Sequence, residues 1–434
     1  AVADLTDYRY LPPLLAIARQ PYLRPDGTMA NESGYDRPTF IFGAFNASEY
    51  RMPQEPTRPD AEAALERMVA LLTEFPFATP ADRSAALALF LTAACRSSLE
   101  TAPGFLANAH APGSGKSYLL AMGEAFATSG IVASATYKSS NDEEMEKILV
   151  AALLASPPAI RFDELTGDLS PVKTILTLLS APQLAGRVLG LSKMITPSTR
   201  CLVTFAGNNT QPLRDMVRRV VVINLDVQVE NPESRAFDRD PLTHLREHRA
   251  EFVADALTII RAKILANPEP VQCRPLNGFD RWNQWVRQSL LWLGLPDPCE
   301  PMFTKATEDP DREQLAALHE AWWQTFGDSP ASIRMAIDRA MVDDTGSFHR
   351  ALCEIGTTKG NVLDANRIGY WVKRHVGRIV NGRRFERDNS VTRSVAWYFI
   401  PAFGLVASKG ATDETGLETV DADDIRAPRK TSKL

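Results

Sequence analysis

Through the middle of the chain, short continuous apolar runs alternate with stretches in which apolar residues recur every three or four positions. The runs lie at 104–109, 130–136, 158–162, 199–205 and 220–225. Their length, their β-branched and aromatic content and their Gly and Pro borders predict strands. Helical spacing predicts elements at 116–128 and from Ser140-Asn141 to about Leu154. Upstream, two further helices run through Ala63, Leu65, Met68, Leu71 and Leu72 and through Ala85, Leu87, Leu89, Phe90 and Leu91. The turn between them, Pro76 to Asp82, offers Thr79 as N-cap and Pro80 as first helical residue. Strands alternating with helices predict an α/β fold with a parallel sheet, its site at the C-terminal ends of the strands.

Outside this core, which occupies 56–230, the patterning changes. Residues 1–55 are rich in Pro, Gly, Tyr and Arg, with strand-like pieces near 26–28 and 38–42, and predict a small β-containing element. Residues 231–330 are mainly helical, with amphipathic spacing in Phe252, Ala256, Leu257, Ile260 and Leu265. Over 331–404, short helices precede Gly382-Arg383-Arg384-Phe385 and Ser394-Val395-Ala396-Trp397-Tyr398-Phe399, the order of a winged helix. Residues 405–434 have no apolar periodicity and predict a disordered tail.

The composition is that of an ordinary globular protein, with 44% hydrophobic and 23% charged residues among 434. No apolar run reaches the ~18–20 residues of a membrane span, and no secretory signal opens the chain. Cys95, Cys201, Cys273, Cys299 and Cys353 are scattered and never form C-x-x-C. They predict a reducing, cytoplasmic setting and exclude a disulfide framework or zinc ribbon. The net charge of −5 conceals a basic C-terminal segment, in which Arg367, Lys373, Arg374, His375, Arg378, Arg383, Arg384, Arg387 and Arg393 face only Glu386 and Asp388. Such a face suits a DNA backbone, with Lys373, Arg374, Arg378, Arg383 and Arg384 as the expected contacts.

The candidate chemistry begins at Ala109-His110-Ala111-Pro112-Gly113-Ser114-Gly115-Lys116-Ser117, between a strand and a helix. Strand, Gly-rich turn and helix form a phosphate-binding loop, which presents backbone N–H groups and a helix N-terminus to phosphate oxygens. Ala111, Pro112, Gly113, Ser114, Gly115, Lys116, Ser117 and Tyr118 are the expected nucleotide contacts, Lys116 reaching the β- and γ-phosphates and Ser117 ligating Mg²⁺. His110 departs from the pattern, standing where G-x-x-x-x-G-K-S has its first glycine.

Asp163 and Glu164 end the strand at 158–162. Asp163 is expected to hold Mg²⁺ through its water shell and Glu164 to polarise the attacking water. Arg161, unusual inside such a strand, suggests an edge-facing or subunit-facing position. The fourth strand runs into Gly207-Asn208-Asn209, where Asn208, or failing it Asn209, can orient the lytic water. Before the fifth strand stand Arg218 and Arg219, which suit either a finger on a neighbour's nucleotide or surface pairing with Asp215.

These residues together resemble the AAA+ ATPases, and among them the replicative helicases of prophages and integrative elements, related to the superfamily-3 and MCM-like helicases. The phrases Asp163-Glu164-Leu165-Thr166-Gly167, Ala206-Gly207-Asn208-Asn209 and Asp215-Met216-Val217-Arg218-Arg219 sustain the resemblance over most of 10–404. It implies an AAA+ P-loop core, a helical lid over 231–330 and a C-terminal winged helix. It also implies a homo-oligomer, a hexamer in form, that hydrolyses ATP with Mg²⁺ and translocates on single-stranded or forked DNA, alongside a separate primase. A pore hairpin is implied between the third and fourth strands, with Lys193 at its tip and Arg187 in reserve. Two other readings stay open: an AAA+ initiator or loader that remodels DNA–protein complexes, and a nucleotide-gated DNA-binding regulator.

Overall fold

Five strands pair in parallel to form the central sheet of the chain: β1 Gly104–Ala109, β2 Ala133–Ala135, β3 Ala159–Leu165, β4 Leu202–Asn208 and β5 Val220–Leu225. Their order across the sheet is β5-β1-β4-β3-β2. The structure, a computed structural model, describes residues 11–165, 167–188, 194–227, 239–307, 310–358, 362–388 and 397–400. It divides into two compact units, Ala1–Asp309 and Pro310–Leu434.

Register assigns each strand residue to one of two cores. Val222, Leu106, Phe205, Phe162 and Ala135 are successive partners across the sheet. On this face helices α4 (Asp142–Leu154) and α5 (Lys173–Ser180) bury Leu149, Leu153, Ile175 and Leu179, while Phe162 and Phe205 stack at 5.2 Å. One residue away, Val221, Phe105, Thr204, Arg161 and Ser134 form the opposite row. That face is covered by α1 (Arg58–Ala70), α2 (Pro80–Cys95), α3 (Lys116–Ala127) and α7 (Arg249–Ala266). Because both faces are covered, the strands read as continuous apolar runs rather than alternating ones.

Helix α2 is buried almost all round from Ala81 to Cys95, and Thr79 caps it by accepting from the Asp82 amide at 3.2 Å. Arg249, at the start of α7, donates to the carbonyls of Ala125 and Phe126 and so places a cation at the C-terminus of α3.

Arg161 does not lie on an edge strand of the sheet. Strand β3 lies between β4 and β2, and the Arg161 side chain turns onto α3, where Nε and Nη2 meet the Glu124 carboxylate at 2.7 and 2.5 Å. The strand's period of two directs it there, and Thr204 on the neighbouring strand donates to the same carboxylate at 3.1 Å. The second strand is shorter than its sequence run: β2 holds only three residues, and Ile131 before it is fully exposed. Near the N-terminus, 26–28 is a turn joining Tyr22–Leu23 to Met29–Ala30, since Asp26 accepts from the Thr28 amide at 2.9 Å.

The second unit contains α8 Pro310–Phe326, β6 Ala331–Ser332, α9 Ile333–Ala340, α10 Ser347–Ile355, α11 Ala365–His375, β7 Glu386–Asp388 and β8 Trp397–Phe399. The three strands are antiparallel in the order β6-β8-β7. The first hairpin strand begins at Glu386 rather than Gly382, because Asn381 and Gly382 both have positive φ and make a turn. Trp322, Leu352, Ile368, Val372 and Phe385 form the core. His319, 1% exposed, packs edge-on against Phe385 at 4.7 Å.

Arg161 and Glu124 are 19% and 6% exposed, so Glu124→Gln removes the carboxylate that Arg161 meets most closely, leaving it Asp163 at 3.8 Å, and should cost about 1–3 kcal/mol, read from urea unfolding. Burial pushes the His319 imidazole from its ordinary 6.5 down to about 4. The unfolded chain therefore takes up that proton first, and stability of this unit, complete above pH 6.5, should fall as pH drops toward 4. His319→Phe should flatten that slope when amide exchange of α8 is followed against pH.

Candidate nucleotide site

The loop between β1 and α3 owes its shape to two glycines, since Gly113 has φ +71° and Gly115, the N-cap of α3, has φ +91°. A side chain would strain either position. His110 has no such φ among the described residues, so the position where the motif has its first glycine accepts a side chain without backbone cost. The loop closes around the Ala111 carbonyl, which accepts from Ser114 Oγ and, at 3.0 Å, from Lys116 Nζ. Lys116 is 8% exposed, and burial lowers its pKa while Asp163 alone pulls it up. A desolvated ammonium beside the free N–H groups of a helix N-terminus favours an anion.

Strand β3 delivers the acidic pair. Ser117 Oγ donates to Asp163 Oδ1 at 3.4 Å, and the Glu164 amide donates to the same oxygen at 2.9 Å. Arg161 Nη1 lies 3.8 Å from the other carboxylate oxygen. Glu164 is exposed and has φ +52°, a left-handed backbone that costs about 1–2 kcal/mol in a residue with a Cβ. A hydroxyl and a carboxylate in mutual hydrogen-bond range form the hard-oxygen donor set that suits Mg²⁺.

The tip of β4 lies between the loop and the acidic pair, because β4 is hydrogen-bonded to β1 on one side and β3 on the other. It turns tightly over Gly207, where an added Cβ would come within 2.0 Å of Thr210 Oγ1. Thr210 donates its amide to Asn108 Oδ1 and its hydroxyl to the Gly167 carbonyl. Asn208 is exposed at the tip. Asn209, at φ +50°, faces the start of the loop, 2.8 Å from His110 Nδ1.

Arg218 and Arg219 stand at the opposite edge. Val220 pairs with Gly104 at the beginning of β1, whereas the loop leaves β1 after Ala109. At about 3.3 Å per residue the separation along the strand is roughly 16 Å. In the isolated chain both arginines are held by Asp215: Arg218 at 2.7 Å from its carboxylate, Arg219 at 2.8 Å from its carbonyl.

Sequence reasoning missed two features. One is a cavity of about 300 Å³ beside Gly113 and Gly115, walled by Phe75, Tyr118, Asp240 and Pro241. Tyr118 OH donates to Asp240 Oδ1 at 2.5 Å and accepts from the Leu242 amide at 2.9 Å. Burial, then the Asp240 bond, push the tyrosine up to about 12. Thr243, then Tyr118, hold Asp240 down at about 2 as it caps α6, Pro241–Glu247. The only local signal was Asp240-Pro241 as a helix start; the walls come from segments remote in sequence. The other is a polar ladder at the strand tips, in which Asp82 Oδ1 accepts from both nitrogens of Asn224 and Asn108 donates to the Asn224 amide oxygen.

The DNA candidates are dispersed. Arg187 is exposed on a two-stranded antiparallel hairpin, Gly186–Arg187 with Met194–Ile195, while Lys193 lies outside the described residues. In the second unit, Lys373 and Arg374 are exposed near the end of α11 and Arg378 is half-buried. Arg383 pairs with Glu320 and lies over the Trp323 ring, and Arg384 pairs with Glu386 at 2.5 Å.

No known family matches the chain, and no curated protein does. Among solved structures it is similar to the C-terminal region of NrS-1 in its apo form, at 11% identity and TM-score 0.37, over 83% of this chain and 80% of that one. It is also similar to a JCV helicase, at 14% identity and TM-score 0.23, over 58% and 74% of the two chains. Both scores are too low for any residue to be transferred. No helix among the described residues is long and apolar enough to cross a membrane.

If the cavity takes the base of a nucleotide, Tyr118→Ala should weaken binding of a fluorescent ATP analogue about tenfold or more, a fold-change expected of one lost aromatic wall, measured by anisotropy. Tyr118→Phe, which keeps the ring, should weaken it far less.

Proposed function

We propose that the chain is an ATPase that couples hydrolysis to movement on DNA. The observation that carries this reading is the approach of Ser117 to Asp163, with Lys116 and Glu164 beside them, at the C-terminal edge of a parallel sheet. Lys116 meets the β- and γ-phosphates, and the loop amides orient them. Ser117 and Asp163 would hold Mg²⁺, which supplies charge neutralisation at the transferred phosphoryl group. Glu164 accepts a proton from the attacking water, and Asn208 orients that water.

Arg218 and Arg219 sit at the wrong edge of the sheet for their own nucleotide, which supports one of them acting on a neighbouring copy and hence a ring, a hexamer in the finer reading. The helix, helix and hairpin order of the second unit supports a winged helix whose Lys373, Arg374, Arg378, Arg383 and Arg384 meet DNA. The hairpin carrying Arg187 is the proposed pore contact, with Lys193 as a further proposed DNA contact, and α6 the start of the helical lid. A replicative helicase of a mobile element, served by a separate primase, is the fullest form of this reading. The second reading, a nucleotide-gated DNA-binding regulator, is favoured by Asp215 holding both arginines.

Strand displacement from forked DNA, measured beside ATP turnover, tests the proposal. Unwinding supports the helicase, DNA-stimulated turnover alone supports a remodeller, and negligible turnover supports the regulator. Glu164→Gln should keep ATP binding while turnover falls by ~10²-fold or more; unchanged turnover would remove Glu164 as the base. Mixing Arg218→Ala with Lys116→Ala subunits should change turnover per active site if sites are shared, and leave it proportional to composition if they are not.

A further inference from the structure

His110 replaces a glycine, and its side chain is engaged. Its Nδ1 lies 2.8 Å from Asn209 Oδ1, while Asn209 Nδ2 donates to the His110 carbonyl at 3.4 Å. The Asn209 amide also donates to the Ala109 carbonyl at 3.0 Å. With Nδ2 committed as donor, Oδ1 is the acceptor, so the imidazole proton sits on Nδ1. His110, the first residue of the loop, and Ala109 before it are thus tied to the tip of β4 by three hydrogen bonds, of which the two at His110 need these side chains.

The backbone on both sides is suited to the contact. His110 needs no positive φ, and Asn209, at φ +50°, is of a residue type that tolerates the left-handed region. Both side chains are exposed and border a cavity of about 500 Å³ with mixed polar and apolar walls. Core packing therefore does not demand the pair, and an exposed hydrogen bond adds little to folding stability. Its consequence is geometric. Asn209 follows Asn208 directly, so whatever fixes Asn209 against the loop fixes where Asn208 stands relative to a bound phosphate.

We propose that His110 is a positioning residue for hydrolysis, locking the β4 tip to the phosphate loop through Asn209. The inference rests on the ATPase reading. It assigns the departure from the glycine motif a role: a rigid link where the motif has a flexible hinge. Small displacements of a reacting group lower turnover steeply without changing ground-state binding.

Steady-state ATP turnover of the full chain tests this. His110→Ala should lower kcat about tenfold with KM for ATP changed less than about twofold. Asn209→Gly, which accepts the backbone and removes the side chain, should do the same, and the double variant should be no slower than either single one. His110→Asn sets a side-chain nitrogen near the place of Nδ1 and should retain most of the activity. His110→Gln, whose polar end lies nearer the place of Nε2, should not, although urea midpoints of both stay near that of the unsubstituted protein. Normal kcat in His110→Ala and Asn209→Gly, multiplied effects in the double variant, or equal activity in His110→Asn and His110→Gln overturns the proposal. Lys116→Ala separates the two layers. Turnover in the unsubstituted chain that Lys116→Ala fails to abolish refutes the ATPase reading and the inference with it. Turnover that Lys116→Ala abolishes but His110→Ala spares refutes the positioning role alone.

Discussion

Strand β4 is paired on both sides, with Phe205 opposite Leu106 of β1 and opposite Phe162 of β3. This register decides what the rest of the molecule can do. It brings the Gly113 and Gly115 loop, the amide-bearing turn and the acidic pair to one edge, from segments separated by tens of residues. A slip of one residue would turn Phe205 out of its stack with Phe162 and set the polar Thr204 in its place. The site's geometry is therefore held by the same aromatic burial that holds the sheet together.

Electrostatics refine that frame from inside. Arg161 reaches from β3 to Glu124 on α3 and stands within 3.8 Å of Asp163. The loop helix and the acidic strand thus share one half-buried ion pair. On the other side of α3, Tyr118 ties the loop helix to the cap of α6 through Asp240. The helix that follows the loop consequently has polar contacts to elements on two sides of the site. Such contacts give a displacement of the loop somewhere to go.

Much of the core was legible locally. The Gly113 and Gly115 turn, the Asp163-Glu164 strand end, the Thr79-Pro80 helix start and the start of α4, where Asn141 Oδ1 accepts from the Glu144 amide at 3.0 Å, each depend on residues close in sequence, whose conformational preferences act without the fold. Arg161 was misread for the opposite reason. A charge in an apolar strand suggests an edge until the partner is known, and Glu124 lies in another element. The first hairpin strand of the second unit starts four residues later than the pattern predicts, because Asn381 and Gly382 form the turn before it. His110 was legible only as a departure.

The sequence by itself determined the strand and helix rhythm and the Gly113 and Gly115 turn between β1 and α3, because periodicity, capping and glycine φ are short-range properties. Tertiary structure alone decided that Asn209 meets His110, that Phe75 and Asp240 wall one cavity, and that Arg218 and Arg219 stand at the far edge from the loop. Those facts follow from strand order and register, which are set by burying two faces of one sheet at once, and no local pattern encodes which strand lies beside which.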